Sequence, residues 1–218
     1  MNYTQLSANI QAYTENTEAN FVAEIPVFVQ QAEQRIYNSM QFPSIRKNVT
    51  GSTTASNKYL GCPGDFLAVY SMAVVDGTGS YEYLLNKDVN FIRQAYPVPT
   101  ETGLPRYYAL FGPQTNDVNE LSFILGPTPD ATYTVELHYY YYPPSIVTAG
   151  TTWLGDNFDS VLLYGSLVEA YTYMKGENDM MALYNGKYQE ALALAKRLAD
   201  GMERQDAYRS GQFRQKVT

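Results

Sequence analysis

A serine or cysteine nucleophile needs a base within hydrogen-bond reach, and a zinc site needs several thiolates or imidazoles. This chain of 218 residues holds one histidine, His138, and one cysteine, Cys62. It therefore has neither a zinc constellation nor an intrachain disulfide, and Cys62 reads as a small buried apolar residue. His138 lies in VELHYYYYPP, Val135 to Pro144, where a histidine among strand tyrosines reads as a hydrogen-bonded surface residue rather than a general base. Carboxylates are the remaining candidates. Asp156 and Asp159 have the look of a glycosidase pair, but three residues apart at a helix start they are better explained by capping and by the helix dipole. Glu82, Asp88, Glu101 and Asp117 fall in turn-rich sequence, where acidic side chains are solvated. The glycine spacings contain no phosphate loop and no dinucleotide fingerprint. The expectation is no catalytic residue, no metal ligand, no cofactor site and no enzyme.

Side chains alternate along a strand, so Tyr133, Val135, Leu137, Tyr139 and Tyr141 should point to a core, and Thr134, Glu136, His138, Tyr140 and Tyr142 away from it. Pro143 and Pro144 cannot donate to a ladder and should end the strand. The outer set, Glu136, His138, Tyr140 and Tyr142, is a candidate contact surface, because rigid tyrosines offer contact area at low entropic cost. The alternative is a tyrosine-rich face that simply meets solvent.

Composition narrows the classes further. With 45% hydrophobic residues the chain can bury one good core, or one core and a satellite. Charged residues are 17% while tyrosine fills 21 positions, a balance suited to polar, aromatic protein contacts. A net charge of -7 disfavours a broad grip on nucleic-acid backbone, which requires lysine and arginine to displace counterions. The N-terminal sequence has no basic and apolar leader, and no apolar run approaches a membrane span, so a soluble product of the cytoplasm is expected.

The elements follow from periodicity. Residues 3 to 13 suggest a short helix, and Ile25, Phe28, Val29, Ala32, Ile36 and Met40 form a helical stripe whose helix should begin near Pro26. From Arg46 to Pro144 the texture is that of short strands: 46 to 53, 66 to 75, 80 to 84, 106 to 111, 120 to 125 and 132 to 142, with a helical turn in DVNFIRQAY. Helix returns at Asp156 as its cap, through a segment whose Phe158, Val161, Leu162, Leu163, Leu167, Val168, Tyr171 and Met174 leave few exposed positions. Gly165 should allow a close backbone approach. Asn178 should cap a last helix with Tyr184, Tyr188, Ala191, Ala195, Leu198 and Met202 as one stripe. The fold class is α+β: a helical bundle of 1–45 and 145–218 interrupted at 46–144 by an antiparallel, sandwich- or barrel-like β insertion.

Several segments together resemble the head-to-tail adaptor, or neck connector, proteins of tailed bacteriophages. They are IPVFVQQAEQRIYNSMQFPSIRKN, CPGDFLAVYSM, GLPRYYALFG, ILGPTPDATYTVELHYYYYPP and TTWLGDNFDSVLLYGSLVEAYTYMKGENDMMALYNGKYQEALA, in family order over almost the whole chain. The helix after Trp153-Leu154-Gly155-Asp156 is the most distinctive piece. The resemblance implies a dodecameric ring in the virion neck, beneath the portal protein and above a tail or nozzle protein, with genomic DNA passing through its centre without specific binding. It carries no catalytic residues and no membrane contact. Tyrosine excess and the length of the β section depart from the family pattern. In some relatives such a domain docks tail fibres, so Glu136, His138, Tyr140 and Tyr142 become candidates for a neighbouring subunit or a fibre.

The stretch from Gly201 to Thr218 has the opposite charge to the rest. Arg204, Arg209, Arg214 and Lys216 against Glu203 and Asp206 give +2, leaving 11 basic and 20 acidic residues, or -9, in positions 1 to 200. The helical stripe fades after Met202, so this tail should be poorly ordered without a partner. With the resemblance, it reads as a portal-docking arm: Tyr208 and Phe213 as apolar anchors, and Arg204, Arg209, Arg214 and Lys216 for carboxylates or carbonyls. Two other classes compete, a tyrosine-rich carbohydrate- or fibre-binding module of the virion and a cell-wall hydrolase.

Overall fold

The computed structural model describes residues 1–40, 42–98, 100–113 and 121–210, with side chains described to residue 201. It is α+β, and the chain divides into two compact units, Met1–Ile45 with Tyr142–Thr218, and Arg46–Tyr141.

The first unit is helical. A capping box opens α1, Tyr3–Thr14: Gln5 N–H donates to Asn2 Oδ1 at 2.9 Å, and Asn2 N–H to Gln5 Oε1 at 3.1 Å. Next, α2 spans Ala19–Ser39, so it starts well before Pro26, which lies inside it. An interior proline removes one backbone bond and costs about 3 kcal/mol. Phe21, Ile25, Phe28 and Val29 are all buried on this helix, and at about 1.5–3 kcal/mol each their burial outweighs that cost. Packing thus overrides the local rule that set the expected start.

The short helix α4, Ile146–Ala149, is held by a carboxylate from α2. Glu33 is 3% exposed, and its Oε1 accepts the Ile146 N–H at 2.9 Å. Burial pushes the Glu33 carboxyl upward from its ordinary value, against the lowering effect of hydrogen bonds from Ser145 and Ile146. A raised folded pKa means that the folded chain holds this proton more tightly than the unfolded chain. Its contribution is therefore full below the unfolded carboxylate range and is lost as pH rises through the folded value. Melting of wild type and Glu33→Gln across pH 4 to 8 should show wild type gaining relative to the variant on acidification; a constant difference would contradict this.

Thr152, not Asp156, caps α5, Trp153–Asn157, by accepting the Gly155 N–H at 3.1 Å. The chain then breaks at Phe158 before α6, Asp159–Met174, so the expected single helix is two. The break lets Phe42, Trp153 and Phe158 close an aromatic triangle, with ring centroids 4.9–5.5 Å apart. Gly155 is required where it stands, since a Cβ would come within 2.7 Å of both the Met1 carbonyl oxygen and Ile146 Cδ1.

Helices α1, α2 and α7 (Asn178–Ser210) all pack on α6. Val161, Leu162, Leu167 and Ala170 are buried, whereas Leu163, Val168, Tyr171 and Met174 are half-buried, so α6 is central but less enclosed than its sequence suggests. Gly165 does permit a close approach, by side chains rather than backbone: a Cβ would sit 3.2 Å from the Tyr188 ring and 3.3 Å from Ala32 Cβ. On α7 the buried stripe is Tyr184, Tyr188, Ala191, Leu192, Ala195 and Ala199, so the expected Leu198 lies outside it. Asn178 is the first helical residue, and Met181 N–H donates to the Glu177 carbonyl, so the helix is entered one residue before the expected cap.

The second unit contains two four-stranded sheets and no closed barrel among the described residues. Sheet A has the order β1-β8-β3-β4, with β1 Arg46–Ser52, β3 Phe66–Val75, β4 Tyr81–Tyr83 and β8 Thr134–Tyr141. Sheet B has the order β2-β7-β6-β5, with β2 Tyr59–Gly61, β5 Leu85–Asn86, β6 Tyr107–Phe111 and β7 Ser122–Gly126. The strand pairings are antiparallel, as expected, apart from the short parallel pair of β5 with β6. Met72, Val74, Val135, Leu137 and Tyr139 of sheet A share one core with Phe123 and Leu125 of sheet B, and half-buried Cys62 packs against it. Helix α3, Val89–Ala95, covers the other side of sheet B through Ile92, against Ala109 and Ile124.

Candidate interaction surfaces

Strand β8 runs between β1 and β3, and its alternation is the one its sequence dictates. Val135, Leu137 and Tyr139 are buried, while Glu136, His138 and Tyr140 share the opposite face. The inner Tyr139 hydroxyl donates to Asp65 Oδ1 at 2.7 Å, and Lys47 Nζ bonds Asp65 Oδ2 at 2.7 Å. The Lys47 bond is the main cause of the lowered Asp65 pKa. Tyr142 does not join the others. The strand ends at Tyr141, and Tyr142 belongs to the helical unit, where its hydroxyl donates to Asn38 Oδ1.

On the outer face, Asn48 and Ser71 flank His138, Thr50 and Ala73 flank Glu136, and Arg46 and Ala68 flank Tyr140. Asn48 Nδ2 donates to Glu136 Oε1 at 3.2 Å, and His138 Nε2 lies 3.9 Å from the same oxygen. The Arg46 guanidinium stands 4.7 Å from the centre of the Tyr70 ring and 5.6 Å from that of Tyr140, a double cation–π contact. A register shift between Val69 and Ser71 places Tyr70 edge-on to Tyr140, with centroids 5.9 Å apart. Tyr83 pairs with Ala73 and Tyr81 with Val75, so both tyrosines of β4 extend this face. Sequence reading missed Tyr70, Tyr81, Tyr83 and Arg46 as members of the surface. The alternation in YEY was a visible signal for the two β4 tyrosines; the bulge at Tyr70 had none.

The basic tail has a different outcome. Helix α7 continues past Met202 to Ser210, beyond where its apolar stripe fades, and residues 211–218 lie outside the described residues. Once a long helix is nucleated each further residue adds a bond at little cost, and the run after Gly201 contains good helix formers. The side chains of Arg204, Tyr208 and Arg209 lie outside the described residues, as do Phe213, Arg214 and Lys216 entirely. Further back, α7 carries Leu183, Leu194 and Leu198, each half or more exposed, of which the sequence reading had placed Leu198 in the core stripe.

The other candidates do not assemble. Asp156 lies in the first turn of α5 and Asp159 in the first turn of α6, where the helix dipole accounts for both. Among the described residues no group of three histidine, cysteine or acidic side chains could hold a metal, and no helix is long and apolar enough to cross a membrane.

No curated protein matches the chain. Among solved structures it is similar to a chain described as the neck of an empty GTA particle computed with C6 symmetry, at 12% identity over 79% of each chain, with a TM-score of 0.27. The family model described as SU10 adaptor protein matches residues 1–215, almost end to end. The chain belongs to the SU10 adaptor protein family.

Proposed function

We propose that this adaptor assembles as a closed ring, a dodecamer, between the portal protein above and a tail or nozzle protein below, with the genome passing through its centre. The observation that carries the reading is the family match over residues 1–215. Two physical features support it. Among the described residues Leu183, Leu194 and Leu198 of α7 are each half or more exposed, and a ring requires each copy to offer such a surface to the next. The -9 balance of residues 1–200 suits a channel wall that DNA slides past without being held. The role is structural and non-enzymatic, and the protein is made in the host cytoplasm before it joins the virion.

The arm from Arg204 to Thr218 docks on the portal, using Tyr208 and Phe213 as anchors and Arg204, Arg209, Arg214 and Lys216 as donors. The test is electron microscopy of the protein mixed with its portal, with the full chain and with a chain lacking residues 204–218. The full chain should form rings on the portal. The shortened chain should melt at almost the same temperature and fail to attach. Attachment by the shortened chain would remove the arm's role, and a monomer that ignores the portal would remove the ring.

A further inference from the structure

The outer face of sheet A has a pattern that subunit contacts do not explain. Its middle is polar: Asn48 on β1 lies beside Glu136 and His138 on the adjacent β8, with Ala73, Ser71 and Thr50 as small neighbours. Its two ends are aromatic and high. Tyr81 and Tyr83 rise at the β4 edge with ring planes 26° apart and exposures of 51% and 66%, and Tyr70, 49% exposed, rises with Tyr140 at the other end. Four strands give a face about 14 Å across. A protein interface has the reverse order, an apolar centre inside a polar rim.

We propose that this face is a binding site for a neutral oligosaccharide. The chemistry follows from the groups present. A sugar ring offers hydroxyls at its edge and C–H bonds on its faces. Carboxylate, amide and imidazole groups are directional donors and acceptors suited to vicinal hydroxyls, and here they are held in place by their own contacts: Asn48 to Glu136 at 3.2 Å, and His138 3.9 Å from the same carboxylate oxygen. The tyrosine rings at each end present aromatic surface to the C–H faces. The β-bulge turns Tyr70 onto this side of the sheet, a re-aiming found where strands border binding sites.

The charges favour a neutral ligand. On a chain with net charge -7, this face carries one carboxylate, Glu136, bonded by Asn48, and one guanidinium, Arg46, which lies over the Tyr70 and Tyr140 rings. An acidic glycan would find no uncommitted cation at the centre. All these residues belong to the unit Arg46–Tyr141, so the site is built within one unit of the chain.

The full-length protein should be tested on an array of neutral and acidic bacterial surface polysaccharides, then by calorimetry with a fragment of the best-bound neutral one. At least one neutral polysaccharide should bind. Tyr70→Ala, Tyr83→Ala and Glu136→Gln should each weaken binding by about tenfold or more, with an unchanged melting temperature showing that the variants fold. Tyr173→Ala, which alters a tyrosine 49% exposed in the helical unit, should leave binding intact. Retention of acidic polysaccharides alone, retention of none, or binding indifferent to the sheet variants would overturn the proposal. So would loss of self-association, in place of sugar binding, as the effect of Tyr70→Ala.

Discussion

Replacing Phe123 by alanine should cost about 3–5 kcal/mol, the largest loss expected from any single truncation in the β unit. Phe123 is fully buried on β7, where sheets A and B share their core. Its ring meets Phe66 edge-on at 5.4 Å and Tyr108 edge-on at 5.8 Å, so truncation opens a cavity and removes two aromatic pairs. The surrounding strands are hydrogen-bonded on both sides and cannot collapse far into that space. Hydrogen exchange should read the loss directly, as weaker protection of peptides covering Ser122–Gly126 and Thr134–Tyr141. Phe123→Leu keeps most of the volume and should cost less than about 1.5 kcal/mol. Equal losses for the two variants would mean that the ring's shape contributes nothing.

In the helical unit, Leu162→Ala should cost about 2–5 kcal/mol and Leu163→Ala distinctly less. The two leucines are adjacent in the sequence and identical in hydrophobicity. Leu162 is fully buried, whereas Leu163 is half-buried. The single tryptophan, Trp153, sits in this unit against Phe42 and Phe158, so its fluorescence follows unfolding there during chemical denaturation. Losses of similar size at both positions would show that Leu163 is as enclosed as its neighbour.

That contrast marks where the sequence stops being informative. In β8 the alternation of apolar and polar residues identifies both faces, because a strand has only two sides and each meets a different medium. Helix α6 is apolar almost all round, so its sequence cannot say which side turns inward; only the positions of α1, α2 and α7 decide between Leu162 and Leu163. Local rules failed where packing outweighed them. Pro26 marked a false start for α2, and a three-residue strand, Tyr59–Gly61, gave no pattern to read. Tyr142 continued the alternation of β8 in sequence but left the sheet in space. Glu33, on the same stripe as Val29, Ala32 and Ile36, was a readable anomaly: a carboxylate on an apolar helix face needs a buried donor. The outer face of sheet A was legible along β8 and invisible across it, because pairing between distant strands leaves no mark on either one alone.

The pairing of β1 with β8 has an evolutionary consequence. These are the first and last strands of the insertion, antiparallel neighbours with Arg46 opposite Tyr140. The entry and exit of some hundred residues therefore lie about 5 Å apart, one strand spacing. An ancestor with a short loop between the segments ending at Ile45 and beginning at Tyr142 could have acquired the whole β unit in one event, without prising those segments apart. The same closeness makes the unit exchangeable, so that lineages can trade the surface it displays while the helical part stays under separate selection.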